Sequence, residues 1–386
     1  MENQKQSIEL ADIFNKYGSA FLKNHTLCCE QSKAFEAIKS CRTSNLGGHA
    51  HMCDHCGHTR YSYNSCRNRH CPKCQFAKQV QWTDKLKAGL PPTRCFHLVF
   101  TIPRQLHKIF YLNQSTAYGL LFKAAALALK KCAANPRFLG AQTGAVAVLH
   151  TWGQTLTYHP HIHMIVPAGG LSEDEIEWVA ASKKFFLPVK ALSAVFRGIL
   201  CRLLEAATLA NKISLPNDIE SFIKLKEKLY LKPWNVYCKK PFGSPDRVVD
   251  YLGRYTHRVA ITNHRIISDD NEKITFRYKD YKTGIPNKRM TLGVNEFIMR
   301  FLRHILPCGF YKIRYFGFLA LCNTGTKAAL CFDLIDKETY LPCLEGLSAT
   351  DIWRVCTNID PACCPVCKKG LMRPIPFIHE KKTKPG

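Results

Sequence analysis

Two pairs of cysteines, Cys53-x-x-Cys56 and Cys71-x-x-Cys74, with fourteen residues between them, constrain this chain more than any other feature. Two such knuckles can set four thiolates tetrahedrally around Zn²⁺. A short polar segment of this kind folds only when the metal's binding energy becomes folding energy. The spacing predicts a structural zinc on Cys53, Cys56, Cys71 and Cys74. Cys66 and His70 lie between the knuckles and could replace one ligand, or join His49 or His51 in a second site. Cys364-Pro-Val-Cys367 supplies only two ligands, and a full site there needs others, such as Cys308, Cys343, Cys356 or His304. A solvated turn is the plainer reading of that pair.

The chain carries 20 cysteines in 386 residues. The opening MENQKQSIELADIF reads as an amphipathic helix rather than an export signal, so a reducing, cytoplasmic setting is expected. There, clustered cysteines suggest metal, while scattered ones such as Cys95, Cys132, Cys201 and Cys238 read as small buried apolar residues. Lys and Arg number 55 against 29 Asp and Glu, a net charge of +26. A surplus that large points to a polyanionic partner, nucleic acid before all others. A membrane is not expected, since the longest apolar run, Gly119 to Leu129, is short and contains Lys123. Within the zinc segment, Arg67, Arg69 and Lys73 stand near a rigid centre and suit phosphate contacts.

Hydrophobic periodicity predicts helices over much of residues 1–41, 77–90, 106–134, 185–230 and 246–258. Strands are expected at Cys95–Ile102, at AVAVLHTWGQ and HIHMIV within Ala145–Val166, and at KITFRYKD, RMTLGV and KIRYFGFLA. Such a mixture without regular βαβ repetition predicts an α+β class. The expected organisation is three consecutive segments: N-terminal helices with a zinc module (1–90), a catalytic α+β domain (91–320), and a tail with a metal half-site (321–386).

The centre of the chain carries His159-Pro-His161-Ile-His163. In a strand, His161 and His163 project from one face, a pleat apart, while Ile162 points into the core. Paired imidazoles of this kind are ordinary ligands for a divalent metal. Gln154, seven residues before His161, is the expected third ligand from the preceding strand, with His150 as the fallback. Downstream, Tyr251 and Tyr255 are four apart and share one face of a helix. They stand in basic company that includes Arg254 and Arg258. A tyrosine oxygen can attack a phosphodiester and conserve its energy as phosphotyrosine, with a metal polarising the phosphate.

The His-hydrophobic-His strand followed by a two-tyrosine helix resembles the HUH endonucleases. With the preceding GGHAHMCDHCG and SCRNRHCPKCQ, and with HTWGQTLTYHPHIHMIV, YLGRYTHRVAITNHRI and LPCGFYKIRYFGFLA, the order resembles the IS91-like rolling-circle insertion-sequence transposases. That resemblance implies a ferredoxin-like nuclease core with helical insertions. It implies Mg²⁺ or Mn²⁺ at His161 and His163, nucleophiles at Tyr251 and Tyr255, and single-stranded DNA, as element ends and target, for substrate. A plasmid replication initiator or relaxase would share this chemistry. A histidine-triad nucleotide hydrolase with His161 as nucleophile would leave the zinc module, the tyrosines and the charge unused. A zinc-ribbon regulator that binds DNA without cutting is the remaining alternative. Lys224, Lys226, Lys228, Lys239 and Lys240 offer backbone contacts, and Trp234 and Tyr237 offer rings for base stacking.

Overall fold

A computed structural model describes residues 8–182, 186–239, 249–250, 253, 260–280 and 283–377. In chain order its first elements are helices α1 (Leu10–Asn24) and α2 (Cys29–Ser40), strands β1 (Gly48–Cys53) and β2 (Thr59–Tyr63), and helix α3 (Phe76–Gly89). Strand β3 (Cys95–Thr101), helices α4 (His107–Leu112) and α5 (Gln114–Ala133), and the hairpin of β4 (Ala145–Trp152) and β5 (Tyr158–Pro167) follow. The short pair β6 (Gly169–Leu171) and β7 (Trp178–Ala180) precedes helices α6 (Val189–Leu209) and α7 (Phe222–Tyr230) and strand β8 (Val236–Lys239). Strands β9 (Ile266–Asp270), β10 (Lys273–Tyr278), β11 (Lys288–Gly293), β12 (Ile313–Phe316) and β13 (Met372–Ile375) complete the sheets. The class is α+β with antiparallel sheets, as the sequence predicts.

Two compact units divide these elements, and both are discontinuous. One takes the described residues of Met1–Gln81, His257–Ile305 and Leu344–Gly386; the other takes those of Trp82–Thr256 and Leu306–Cys343. Separated stretches of the chain thus contribute to each unit. The reason lies in strand pairing. β13 joins β1 and β2 in one sheet, and β12 joins the sheet of β3, β4, β5 and β8. In the first unit, Phe14 of α1 stacks on Phe35 of α2 at 4.4 Å and meets Phe301 edge-on at 5.7 Å. The strands β9–β11 pack there beside helix Val294–Leu302, with Phe276 and Phe297 both fully buried.

The second unit is built on the sheet β12-β4-β5-β3-β8, antiparallel throughout. Alternation sorts its side chains. Phe96, Leu98 and Phe100 of β3, Ala147 and Leu149 of β4, and Ile162, Met164 and Val166 of β5 share one face, buried in the same core as residues of α5 and α6. The α4–α5 stretch reads as one helix in the sequence but breaks at Asn113. There the side-chain amide donates to the Ile109 and Ser214 carbonyl oxygens, and its oxygen accepts the Ser214 amide. Among the described residues no helix is long and apolar enough to cross a membrane.

Gly317, just after β12, holds φ +62°, and a Cβ there would collide with the Thr143 carbonyl oxygen and sit 3.0 Å from the Gly144 Cα. An L side chain pays for the left-handed conformation as well as for the collision with backbone. Gly317→Ala is expected to cost at least about 2 kcal/mol. The first thermal unfolding transition of the purified variant should fall by several degrees. An unchanged transition would mean that the Thr143 segment simply gives way.

Candidate active site and zinc module

The face of the central sheet opposite α5 and α6 carries the histidines. Register settles this: His150 lies opposite His161, Val148 opposite His163, and Val99 of β3 on the other side of His163. His97, Val99 and Thr101 alternate onto the same face as His161 and His163. The ligand nitrogens of His150, His161 and His163 lie within 4.8 Å of one another. His161 Nε2 and His163 Nε2 are 3.0 Å apart. Two donors about 2.1 Å from one ion and at right angles are separated by about 3 Å, so the pair has the spacing of adjacent ligands.

The Nδ1 atoms of His161 and His163 are engaged. His161 Nδ1 is 2.6 Å from the His159 carbonyl oxygen, so it carries the proton and leaves Nε2 as the acceptor. His97 Nε2 meets His163 Nδ1 at 2.8 Å, and the two rings stack with centroids 5.0 Å apart. An outer partner of this kind orients a ligating imidazole and sets its tautomer. Burial holds all four rings neutral: it pushes His97 and His161 down to about 4, and His150 and His163 well below the usual histidine value. Neutral imidazole is the form with a lone pair for metal.

Gln154 is not on the strand. β4 ends at Trp152, a register shift lies between His150 and Trp152, and Gly153 donates to the Thr157 carbonyl at 3.0 Å, closing a tight turn that contains Gln154. The strand position across from His161 belongs to His150, which is 5% exposed. His97 was missed, because a lone histidine in the apolar run CFHLVFT has no partner at strand spacing; only the β3–β5 register supplies one.

Tyr251, Tyr255, Arg254, Arg258 and Lys240 lie outside the described residues. The described positions of that stretch, Val249, Asp250 and Gly253, are helical. Val249 is fully buried in one cluster with Leu86, Cys95, Val146 and Ile165, on the sheet face that bears the histidines. Trp234, expected to stack on bases, is instead a core residue, 5% exposed, with its indole N–H donating to the Leu229 carbonyl. Lys224 pairs with Glu220 and Lys226 with Glu205. Tyr237 is 56% exposed and stands opposite Val99, on the histidine face.

The cysteines do not group as the spacing predicts. Cys53, Cys56, Cys71 and Cys74 do not form one site; the two knuckles belong to different sulfur clusters. Cys71 and Cys74 join Cys66 and Cys41, the residue that ends α2, with Cys41 and Cys66 sulfurs 3.2 and 3.6 Å from that of Cys74. Cys53 and Cys56 face Cys364 and Cys367 instead. Pairing of β1 with β13 is the cause, for it sets Cys53 opposite Met372 and carries the C-terminal knuckle alongside. The other cysteines and His304 proposed for Cys364 and Cys367 take no part. His70 falls in neither cysteine cluster; it is buried with its ring turned to Asn68 Oδ1, 3.3 Å away. Lys73 is ion-paired with Glu9, and Arg67 is exposed. Four sulfurs this close cannot all shed protons without a cation between them. Hydrogen bonds from Cys41 and Cys66 hold Cys74 far down, while Cys41 pushes Cys66 and Cys71 far up.

Residues 144–327 match a family model described as "Putative transposase", and residues 13–102 match the transposase zinc-binding domain. The chain is 44% identical over 373 residues to the "Putative transposase y4qJ" of Sinorhizobium fredii, covering 94% of each chain. This chain belongs to the IS91-like transposases. It is also 29% identical over 337 residues to the transposase for insertion sequence element IS801 of Pseudomonas savastanoi pv. phaseolicola, covering 85% of this chain and 79% of that one. No solved structure matches. The transposase therefore has DNA as its partner, and its thiolate clusters, six of whose cysteines fall in the zinc-binding match, fit structural zinc.

Beside the site, His107 of α4 stacks edge-on to Tyr158 and His159, with its Nε2 buried and unpartnered. Burial first, then the charges of His159 and Arg104, push it down to about 4. The unfolded chain binds a proton near pH 6.5 that the folded chain refuses until about pH 4. Stability is then complete above pH 6.5 and falls as pH drops through that window. Replacing His107 by Gln should reduce the loss of unfolding free energy between pH 7 and pH 4.5 by about 2 kcal/mol, read from denaturant midpoints at the two pH values. An identical pH slope in variant and parent would remove His107 from the cause.

Proposed function

We propose that this transposase cuts and rejoins single-stranded DNA through a tyrosine nucleophile, at a divalent-metal site formed by His161, His163 and His150. The observation that carries the reading is the imidazole triad: three neutral rings on one sheet face, two of them with Nε2 atoms 3.0 Å apart. The outer hydrogen bonds of His161 and His163 support it, because they leave one nitrogen of each ring for a metal. Lewis-acid polarisation of the scissile phosphate is the chemistry that a bound Mg²⁺ or Mn²⁺ supplies.

The chain's own residues would do the rest. The phenol oxygen of Tyr251 or Tyr255 gives up its proton and attacks phosphorus. The bond from phosphorus to the 3′ oxygen breaks, leaving a 5′-phosphotyrosine and a 3′ hydroxyl. The second tyrosine repeats the cut at the other end or the target, and the freed 3′ hydroxyl reverses the link to join strands. Burial of Val249 against Val146 and Ile165 supports a helix that approaches the histidine face at the start of the two-tyrosine segment. Tyr237 supports a single-stranded substrate, since an exposed ring on that face can take a base by stacking.

The test is to incubate purified protein with single-stranded DNA from the element's flanks plus Mg²⁺ or Mn²⁺, and to resolve adducts on denaturing gels. A metal-dependent adduct is expected from the parent chain, reduced in Tyr251→Phe or Tyr255→Phe and abolished in the double variant and in His161→Ala. Cognate DNA bound without any adduct would sink the nuclease reading and favour a DNA-binding regulator that does not cut.

His97 provides a separate check on the metal. His97→Ala removes the partner of His163 Nδ1 and should weaken Mn²⁺ binding about 10- to 100-fold by titration calorimetry. An unchanged affinity would mean that His163 does not depend on His97 for its orientation.

A further inference from the structure

We propose that Cys53, Cys56, Cys364 and Cys367 bind a second zinc ion, which clasps the C-terminal end of the described chain onto the N-terminal zinc module. The family's zinc-binding match ends at residue 102 and does not reach the second pair.

Geometry is the first argument. The Cys53 and Cys367 sulfurs are 3.7 Å apart, as are those of Cys56 and Cys364. Thiolates about 2.3 Å from one tetrahedral ion are separated by about 3.8 Å, whereas a disulfide needs about 2.05 Å. All four sulfurs lie within 4.8 Å of one another. The grouping does not mix with the Cys41, Cys66, Cys71 and Cys74 set, so each ion would have its own complete tetrathiolate.

The backbone around the sulfurs is shaped for the role. The His55 amide donates to Cys53 Sγ and the Gly370 amide to Cys367 Sγ, both at 3.4 Å. Amide donors to sulfur stabilise the thiolate form that a metal requires. Both knuckles turn alike: Gly57 donates to the Cys53 carbonyl at 3.1 Å, and Lys368 to the Cys364 carbonyl at 3.0 Å. Gly370 passes so near that a Cβ would lie 2.5 Å from Cys53 Sγ and 2.6 Å from His55 Cβ. Only glycine lets the second knuckle close over the first.

Supports outside the cluster fix the approach. Asp54 accepts the Leu371 amide at 2.8 Å and the Arg373 guanidinium at 3.2 Å, and Arg60 donates to the Pro361 carbonyl at 2.9 Å. These contacts are exposed or half-buried and add little by themselves. Among the described residues, the buried apolar cluster at this site consists of Cys53, Cys364 and Met372, with Cys367 packed against it. So small a core adds little to the β1–β13 pairing, whereas a bound ion turns its binding energy into folding energy.

Native mass spectrometry of the full-length chain, prepared with zinc under reducing conditions, tests the clasp. Two zinc ions per chain are expected for the parent and for Cys363→Ser, whose sulfur lies outside the cluster. Half that content is expected for Cys364→Ser/Cys367→Ser. A single zinc in the parent that survives the double substitution would overturn the proposal. Alkylation mapping of the parent gives a readout that does not depend on a variant folding. Cys53, Cys56, Cys364 and Cys367 should be protected together and become reactive together on chelation. Alkylation of Cys364 and Cys367 while Cys53 and Cys56 stay protected in the zinc-loaded chain would also overturn it.

Discussion

The pairing of β4 with β5 is the constraint on which the candidate active site depends. Strand parity is binary, so a slip of one residue would send His161 and His163 into the helix-covered core and turn Ile162 out. The observed register prevents that by matching Ala147 with Met164 and Leu149 with Ile162, side chains that fill the layer beneath α5 and α6. The apolar face thus fixes the position of the polar one. The histidines need no local signal of their own to reach the surface where they meet; hydrophobic burial on one side delivers them to the other.

Delivery is not enough for reactivity, and β3 completes the arrangement. His97 arrives on the same face through the same parity and meets His163 Nδ1. Burial then keeps the four rings uncharged, which serves metal binding but removes them as sources of positive charge for DNA. Electrostatic attraction of the substrate has to come from lysines and arginines placed elsewhere. In the proposed reading, the binding of metal and the steering of DNA fall to separate residues.

The α+β class, the β4–β5 hairpin and the shared face of the alternate histidines were legible because they rest on local periodicity. AVAVLHTW and HIHMIV carry their parity in the sequence itself. Three features were not legible. The third imidazole depends on where β4 stops and on the register shift after His150, which a few residues of turn decide. The cysteine grouping depends on β1 and β13 pairing across most of the chain, and a local spacing rule favours the nearest knuckles for want of that information. Cys41 follows the same logic: it lies outside any Cys-x-x-Cys pattern, and only the end of α2 brings its sulfur to Cys66, Cys71 and Cys74. For the cysteines the missing quantity is a long-range contact; for the third imidazole it is the geometry of a short turn.

The charge surplus shows the same division. A net charge of +26 identifies a polyanionic partner but not the residues that touch it. The structure pairs several candidates with carboxylates: Lys73 with Glu9, Lys224 with Glu220, Lys226 with Glu205. A lysine bound to its own carboxylate must give up that partner before it can release a counterion from DNA, so its contribution to affinity shrinks. Tyr237 and Lys239 alternate onto the face that holds the histidines, next to β3, and the Lys239 charge is felt at His97. These two side chains lie two strands from His163, a placement that the strand order sets. On the proposed reading, a strand of DNA that met β8 would reach the imidazoles across β3.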